Sequence, residues 1–157
     1  MSFWKKLLAT VGIASLAASV TAADKVAEQA AFAANQAVET AKKVDGTILD
    51  YSPNSLQSID KIVLGLRRDG TKPEEVKGVL SILGAYVGEV IVRNIKGSQW
   101  SLPPKEVQAA GLTAMGINTK AGLFWNPIGK VHKLLINGEE DSVVHFYNVV
   151  KFKENDR

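Results

Sequence analysis

The sequence contains no cysteine, so the chain forms no disulfide bond and has no thiolate nucleophile. The same absence excludes zinc sites with cysteine ligands, iron–sulfur clusters and a lipid anchor attached through cysteine. Histidine is scarce too, and His132 and His145 do not stand in an HExxH spacing. The sequence also lacks a GxSxG elbow, a GxGxxG turn and a Walker loop. It therefore predicts no cofactor and no metal site, and it indicates no particular reaction.

An excess of charge of one sign is nearly absent as well. The chain has 19 Lys and Arg residues against 16 Asp and Glu residues, a net charge of +3. Lys5 and Lys6, two of the residues that make this excess, lie in a segment predicted below to be removed. Between Lys61 and Lys77 the basic residues alternate with acidic ones. Nucleic-acid binding relies on a continuous basic surface, so no nucleic-acid partner is predicted.

Residues 1–23 have the organisation of a secretory signal peptide. Two lysines precede an apolar stretch from Leu7 to about Val20, and small residues follow it. Cleavage after Ala22 or after Ala23 places small residues at the required positions. The apolar run is short compared with a membrane span of about 20 residues, so no stable transmembrane segment is expected after processing. The predicted location is periplasmic or secreted; if residues 1–23 are retained, the protein is cytoplasmic or membrane-associated.

Residues 24–44 predict one helix, because this segment is rich in alanine and contains neither glycine nor proline. Its apolar stripe includes Val26, Ala30 and Ala37, whose small side chains bury little area. We therefore expect a spacer or a docked helix. A self-associating coiled coil is the less favoured interpretation, because the stripe is short and lacks leucine and isoleucine.

Residues 45–157 predict a single α+β domain in which a small antiparallel sheet is backed by helices. Strands are expected at 47–51, 98–102, 112–119 and 121–125, and helices at 53–68, from Thr71 to about Lys96, and at 127–137, with a helical turn at 105–111. Residues 142–152 combine a helical apolar face with many β-branched and aromatic residues, so helix and strand both remain open there.

Glu89 is the acidic residue of greatest interest. It lies at the edge of the apolar face of the helix that follows Thr71, where burial would raise its pKa and suit it to general acid–base chemistry. Arg93, one turn later, offers an ion pair. The catalytic candidates are thus Glu89, His132 and His145. A structural role is favoured for all three, because no second catalytic group is placed beside Glu89.

Three aromatic residues of the predicted strands are candidates for binding. Trp100, Phe124 and Trp125 are expected in the core or on a face of the sheet. Two of them exposed together would mark a partner or ligand surface. Gly84 and Gly88, one turn apart on the predicted central helix, indicate a close packing contact, because glycine costs about 1 kcal/mol relative to alanine in a helix.

Three stretches of the sequence resemble a small domain found in uncharacterised bacterial proteins. They are LDYSPNSLQSID at 49–60, LGAYVGEVI at 83–91 and GLFWNPIGKVHKLLINGEEDSVVHFY at 122–147. The resemblance covers residues 47–152 and leaves out the N-terminal segment. It implies a bacterial origin and a family without known activity.

These observations predict an exported, non-enzymatic binding module for a protein partner in the cell envelope. One alternative is a small hydrolase-type or ligand-processing domain that uses Glu89 with His132 or His145. Another is a cytoplasmic interaction module whose N-terminal helix docks on a membrane or oligomerises. A polar cleft that joins Glu89 to a histidine would favour the enzyme, whereas an exposed aromatic surface would favour binding. An N-terminal helix packed onto the core would weaken the prediction of export.

Overall fold

The computed structural model describes residues 20–112 and 114–155. Most of the predicted signal segment therefore lies outside the described residues. The helices are α1 (Ala22–Asp45), α2 (Leu56–Arg68), α3 (Lys77–Asn94), α4 (Lys105–Ala109), α5 (Pro127–Asn137) and α6 (Val143–Asn155). The strands are β1 (Gln99–Ser101), β2 (Gly116–Asn118) and β3 (Phe124–Trp125), and they form one antiparallel sheet in the order β1-β2-β3. The predicted α+β class, with a small antiparallel sheet backed by helices, is confirmed.

Helix α3 forms the centre of the core. Residues 83–91 are all buried, so this helix contacts other elements around its circumference. A Cβ atom on Gly84 would lie 2.5 Å from Cα of Ile128 in α5, and one on Gly88 would lie 2.2 Å from the Trp100 ring. The two glycines thus allow α5 and the Trp100 ring of β1 to approach the α3 backbone, as their spacing predicted.

Helix α1 packs against α3 through small side chains. Its buried stripe consists of Val26, Ala30, Ala34, Ala37 and Ala41. Alanine at these positions lets the two helix axes approach closely. The helix begins with a capping box: the Thr21 hydroxyl accepts from the Asp24 backbone N–H, and the Asp24 carboxylate accepts from the Thr21 backbone N–H.

The strand predicted at 47–51 is not formed, so that prediction is wrong. The side chains of Asp45 and Asp50 accept hydrogen bonds from the backbone N–H groups two residues later, at Thr47 and Ser52. Such local bonds favour turns over strands. Tyr51 moreover has a positive φ of 61°, which ends the extended path.

The segment left open between helix and strand is helical, as α6. Asp60, from α2, accepts hydrogen bonds from the Val143 backbone N–H at 2.8 Å and from the Ser142 hydroxyl at 2.6 Å. A carboxylate at this position stabilises a helix N-terminus by satisfying a free N–H group and by interacting with the helix dipole. The contact therefore explains why these β-branched residues form a helix.

Helix α3 begins later than predicted. Pro73–Glu75 form a 3-10 turn, and the Glu75 carboxylate accepts from the Lys72 backbone N–H at 2.7 Å. This bond caps the turn from one side only, since a lysine side chain has no acceptor to offer in return, and α3 starts at Lys77.

Candidate functional site

Glu89 is buried on α3, with 6% of its surface exposed. One carboxylate oxygen accepts from the Trp100 indole N–H at 2.9 Å, and the other accepts from Nε of Arg93 at 2.9 Å. Trp100 belongs to β1 and Arg93 to the next turn of α3. Glu89 therefore joins the sheet to the central helix, and the ion pair expected with Arg93 is present.

Arg93 extends this arrangement toward α1. Its guanidinium lies 3.6 Å from the centre of the Tyr51 ring, within the range of a cation–π contact. The Tyr51 hydroxyl donates to the Asn35 side chain of α1 at 2.8 Å, and burial raises the pKa of Tyr51. The Tyr51 backbone is held as well, because its N–H donates to the Tyr86 hydroxyl at 2.8 Å.

The two histidines are not hydrogen-bond partners of Glu89. His132, on α5, is half-buried, and its burial together with the positive charge of Lys77 lowers its pKa. His145, on α6, is exposed. Over residues 20–112 and 114–155 the structure therefore does not assemble the pair of Glu89 with a histidine that the enzyme alternative requires.

The three aromatic candidates occupy different environments. Trp100 is buried against Gly88, with 3% of its surface exposed, and is part of the core. Phe124 is half-buried beside Gly116. Trp125 lines a surface cleft, where its ring meets that of Phe146 edge-to-face, at 5.8 Å between centroids. Of the three, Trp125 is therefore the residue that is partly exposed and also lines a cavity.

This cleft of about 410 Å³ lies between β3, α5 and α6. We call it the aromatic–basic cleft; its lining residues are Trp125, Asn126, Gly129, Lys130, Lys133, His145, Phe146 and Val149. It brings together Trp125 and His145, which the sequence suggested separately. The sequence interpretation did not identify the other lining residues as site residues. The spacing of Lys130 and Lys133, which places both on one helix face, was the available signal.

The two lysines of the cleft differ in their ion pairing. Nζ of Lys130 lies 2.5 Å from a carboxylate oxygen of Asp141, and hydrogen bonds from Lys130 and Asn137 lower the pKa of Asp141. Lys133 is exposed and has no ion-pair partner among the described residues. Asp141 pairs with Lys130 and also feels the charge of Lys133, so one carboxylate faces two lysines and a net positive charge remains for a ligand.

Asn126 fixes the wall of the cleft where α5 begins. Its side-chain oxygen accepts from the Gly129 backbone N–H at 2.8 Å and so caps the helix. The indole N–H of Trp125 is buried, and it has no hydrogen-bond partner within the described part of the chain. The cleft thus combines an aromatic surface, an uncompensated lysine and an exposed histidine, and this combination suits binding of an anionic group attached to an apolar one.

A second cavity, of about 230 Å³, lies between α1, α2 and α3. This apolar groove is lined by Ala37, Thr40, Ala41, Val44, Asp45, Ile62, Leu66, Val79, Ile82 and Leu83. Val44, at its edge, is 78% exposed. The groove contains none of the six residues that the sequence suggested as catalytic or binding candidates.

No group of three or more acidic or histidine side chains in the described residues could hold a metal ion. No helix among the same residues combines the length and the apolar character that crossing a membrane requires.

The sequence model of a family of unknown function, DUF6278, matches residues 3–129. The chain belongs to this family. The DUF6278 match confirms the expected resemblance to a family without known activity, although it begins at residue 3 and ends inside α5. It includes Trp125 and Asn126 but not Lys133 or His145. No curated protein and no solved structure matches the chain.

Proposed function

We propose that this DUF6278 protein is a non-enzymatic binding module and that the aromatic–basic cleft contacts a protein partner. The observation that carries the proposal is the meeting of Trp125 and His145 with two lysines around one cleft. Aromatic residues supply most of the contact area in many protein interfaces, and cations at their edge direct the approach of the partner.

The cleft is held in place before any partner arrives. Trp125 pairs with Ile117 across β2 and β3, and its ring packs edge-to-face on Phe146. Lys130 is fixed by Asp141. A surface whose side chains are already ordered loses less conformational entropy on binding, which favours affinity.

The enzyme alternative receives less support from the contacts. Both carboxylate oxygens of Glu89 accept hydrogen bonds, from Trp100 and Arg93, and these bonds join structural elements. His145 lies in the aromatic–basic cleft with lysines as its neighbours in the lining. A hydrolase-type site would need a general acid or base beside a histidine.

Export remains part of the proposal: the sequence pattern of residues 1–23 supports it, whereas the packing of α1 on α3 weakens it. Cleavage after Ala22 or Ala23 would remove Thr21, whose hydroxyl accepts from the Asp24 backbone N–H at 3.2 Å. Loss of such a cap costs about 1 kcal/mol of helix stability. The intact mass of the protein purified from its native host tests this part; a chain that still contains residues 1–23 contradicts it.

Site-specific photo-crosslinking in the native host tests the binding proposal. A benzoylphenylalanine in place of the exposed His145 puts the crosslinker at the cleft and leaves both lysines intact, and one at the exposed Lys25 of α1 is the matched control. We expect a discrete protein adduct from position 145 that position 25 does not give and that Trp125→Ala reduces. Adducts of equal yield from both positions, or none from position 145, contradict the proposal.

A further inference from the structure

The aromatic–basic cleft has an apolar side and a polar side, and its ligand is expected to match both. The apolar side consists of Trp125, Phe146 and Val149. The polar side presents Lys133, His145 and the Asn126 side chain. An occupant that is purely polar would leave the aromatic surface uncovered, and an occupant that is purely apolar would desolvate the lysine without a partner.

The charge of the polar side selects an anion. Lys130 and Lys133 are three residues apart on α5 and therefore share a face of the helix. Asp141 compensates the charge of Lys130, whereas Lys133 has no ion-pair partner in the described residues. One carboxylate therefore faces two lysines, which leaves a net positive charge at this side of the cleft.

The backbone geometry favours a carboxylate over a phosphate group. Phosphate sites commonly use several free backbone N–H groups at a helix N-terminus. At the start of α5, the Gly129 N–H donates to the Asn126 side chain and the Lys130 N–H donates to the Asn126 carbonyl. These groups are occupied, so what remains is a single lysine charge, which suits a carboxylate.

On these grounds, and on the basis of the proposed function, we infer that the cleft binds a carboxylate carried next to an apolar side chain of a partner protein. Two sources have this chemistry: the C-terminal residue of a chain, and an acidic residue beside an aromatic one. In either case the carboxylate lies at Lys133 and the neighbouring apolar side chain packs on Trp125 and Phe146.

Titration of the full chain with small probes, followed by amide chemical shifts, tests this inference. The probes are acetyl-Ala-Ala-Phe with a free carboxylate, the same peptide as its amide, acetyl-Ala-Asp-Phe-Ala-amide, and inorganic phosphate. We expect the free-acid peptide, the aspartate peptide or both to shift signals of α5 and α6 around Lys133 and Val149. Amidation of the first peptide should weaken its binding about tenfold, since hydrogen bonds to charged groups are the stronger ones. Which of the two acidic peptides binds identifies the source.

Lys133→Gln supplies the matched variant, because Lys133 is exposed and its replacement leaves the core unchanged. It should weaken binding of the acidic peptide about tenfold, and Lys25→Gln should leave it unchanged. Equal binding of acid and amide, tighter binding of phosphate at the cleft, or shifts confined to the apolar groove would overturn the inference. If the cleft crosslinks a partner but no acidic peptide binds there, the ligand class is wrong and the proposed function stands. If neither occurs, both are wrong.

Discussion

The Trp100 indole N–H donates to the Glu89 carboxylate across 2.9 Å, from strand β1 to helix α3. Both residues were candidates for function on sequence grounds, and the structure instead makes each the other's buried partner. The hydrogen bonds from the Trp100 indole and the Arg93 guanidinium hold the buried Glu89 side chain in one position between helix and sheet.

Glu89→Gln should therefore mainly reduce stability. The replacement keeps an oxygen for Trp100 but removes the charge that pairs with Arg93, and we expect the free energy of unfolding to fall by about 1–3 kcal/mol. Urea denaturation measures the change, with Glu28→Gln on the exposed surface of α1 as the control. A large loss of partner binding with an unchanged unfolding midpoint would contradict this structural role.

Gly88→Ala should disturb the same contact by crowding. Its Cβ would stand 2.2 Å from the Trp100 ring, so the ring must shift, at a cost of about 1–3 kcal/mol. Gly78→Ala, in the first turn of α3, is the control, because a Cβ there has no neighbour within 4 Å. Thermal unfolding followed by tryptophan fluorescence should show a lower melting temperature for the first variant and an equal or higher one for the second.

Trp125→Phe tests the buried indole N–H that lacks a partner in the described residues. A buried donor without an acceptor costs about 1–3 kcal/mol, so its removal offsets the lost ring area. We expect unfolding free energies equal within about 1 kcal/mol, whereas Trp125→Ala, which also removes the packing on Phe146, should lose about 3 kcal/mol or more. A severe loss in the phenylalanine variant would mean that the N–H is bonded.

The Lys130–Asp141 contact should make the free energy of unfolding depend on pH in the acid range. Hydrogen bonds lower the pKa of Asp141 in the folded state. Its contribution to the free energy of unfolding is therefore complete above the unfolded-state pKa and is lost as the pH falls through the folded-state pKa. The Asp141→Asn variant should thus be less stable than the wild-type protein by about 0.5–1 kcal/mol near pH 6. This difference in the free energy of unfolding should shrink toward pH 2. Denaturation at a series of pH values measures it, and a difference that does not vary with pH would exclude this origin.

Local patterns predicted those elements whose determinants are close in sequence. The Asn126 cap and Pro127 mark the start of α5, and both are visible as a dipeptide. The prediction of a strand at 47–51 was wrong, because the left-handed backbone of Tyr51 depends on hydrogen bonds to residues distant in sequence. These are the side chains of Tyr86 and Asn94. The helical state of α6 depends in the same way on Asp60, which belongs to α2.

The site was only partly predictable for a related reason. Trp125 and His145 were each identified, one for binding and one for catalysis, but only the packing of α6 beside α5 and β3 places them in one cleft. The only signal from Lys133 was its spacing from Lys130, and two lysines on one helix face are also the ordinary pattern of a solvated surface. Its importance arises from the ion pair that its neighbour Lys130 forms with Asp141.

The contacts that run from Asn35 through Tyr51, Arg93 and Glu89 to Trp100 link α1 to β1, two elements that also pack directly on each other. If α1 separates from the core, the Tyr51 hydroxyl loses its acceptor, Asn35, and the Tyr51 ring is held less firmly under the Arg93 guanidinium. The Glu89 carboxylate, which bonds both Arg93 and Trp100 of β1, is then held less firmly as well. Release of α1 and opening of β1 should consequently be cooperative. Their most protected amides should exchange hydrogen with similar free energies of opening.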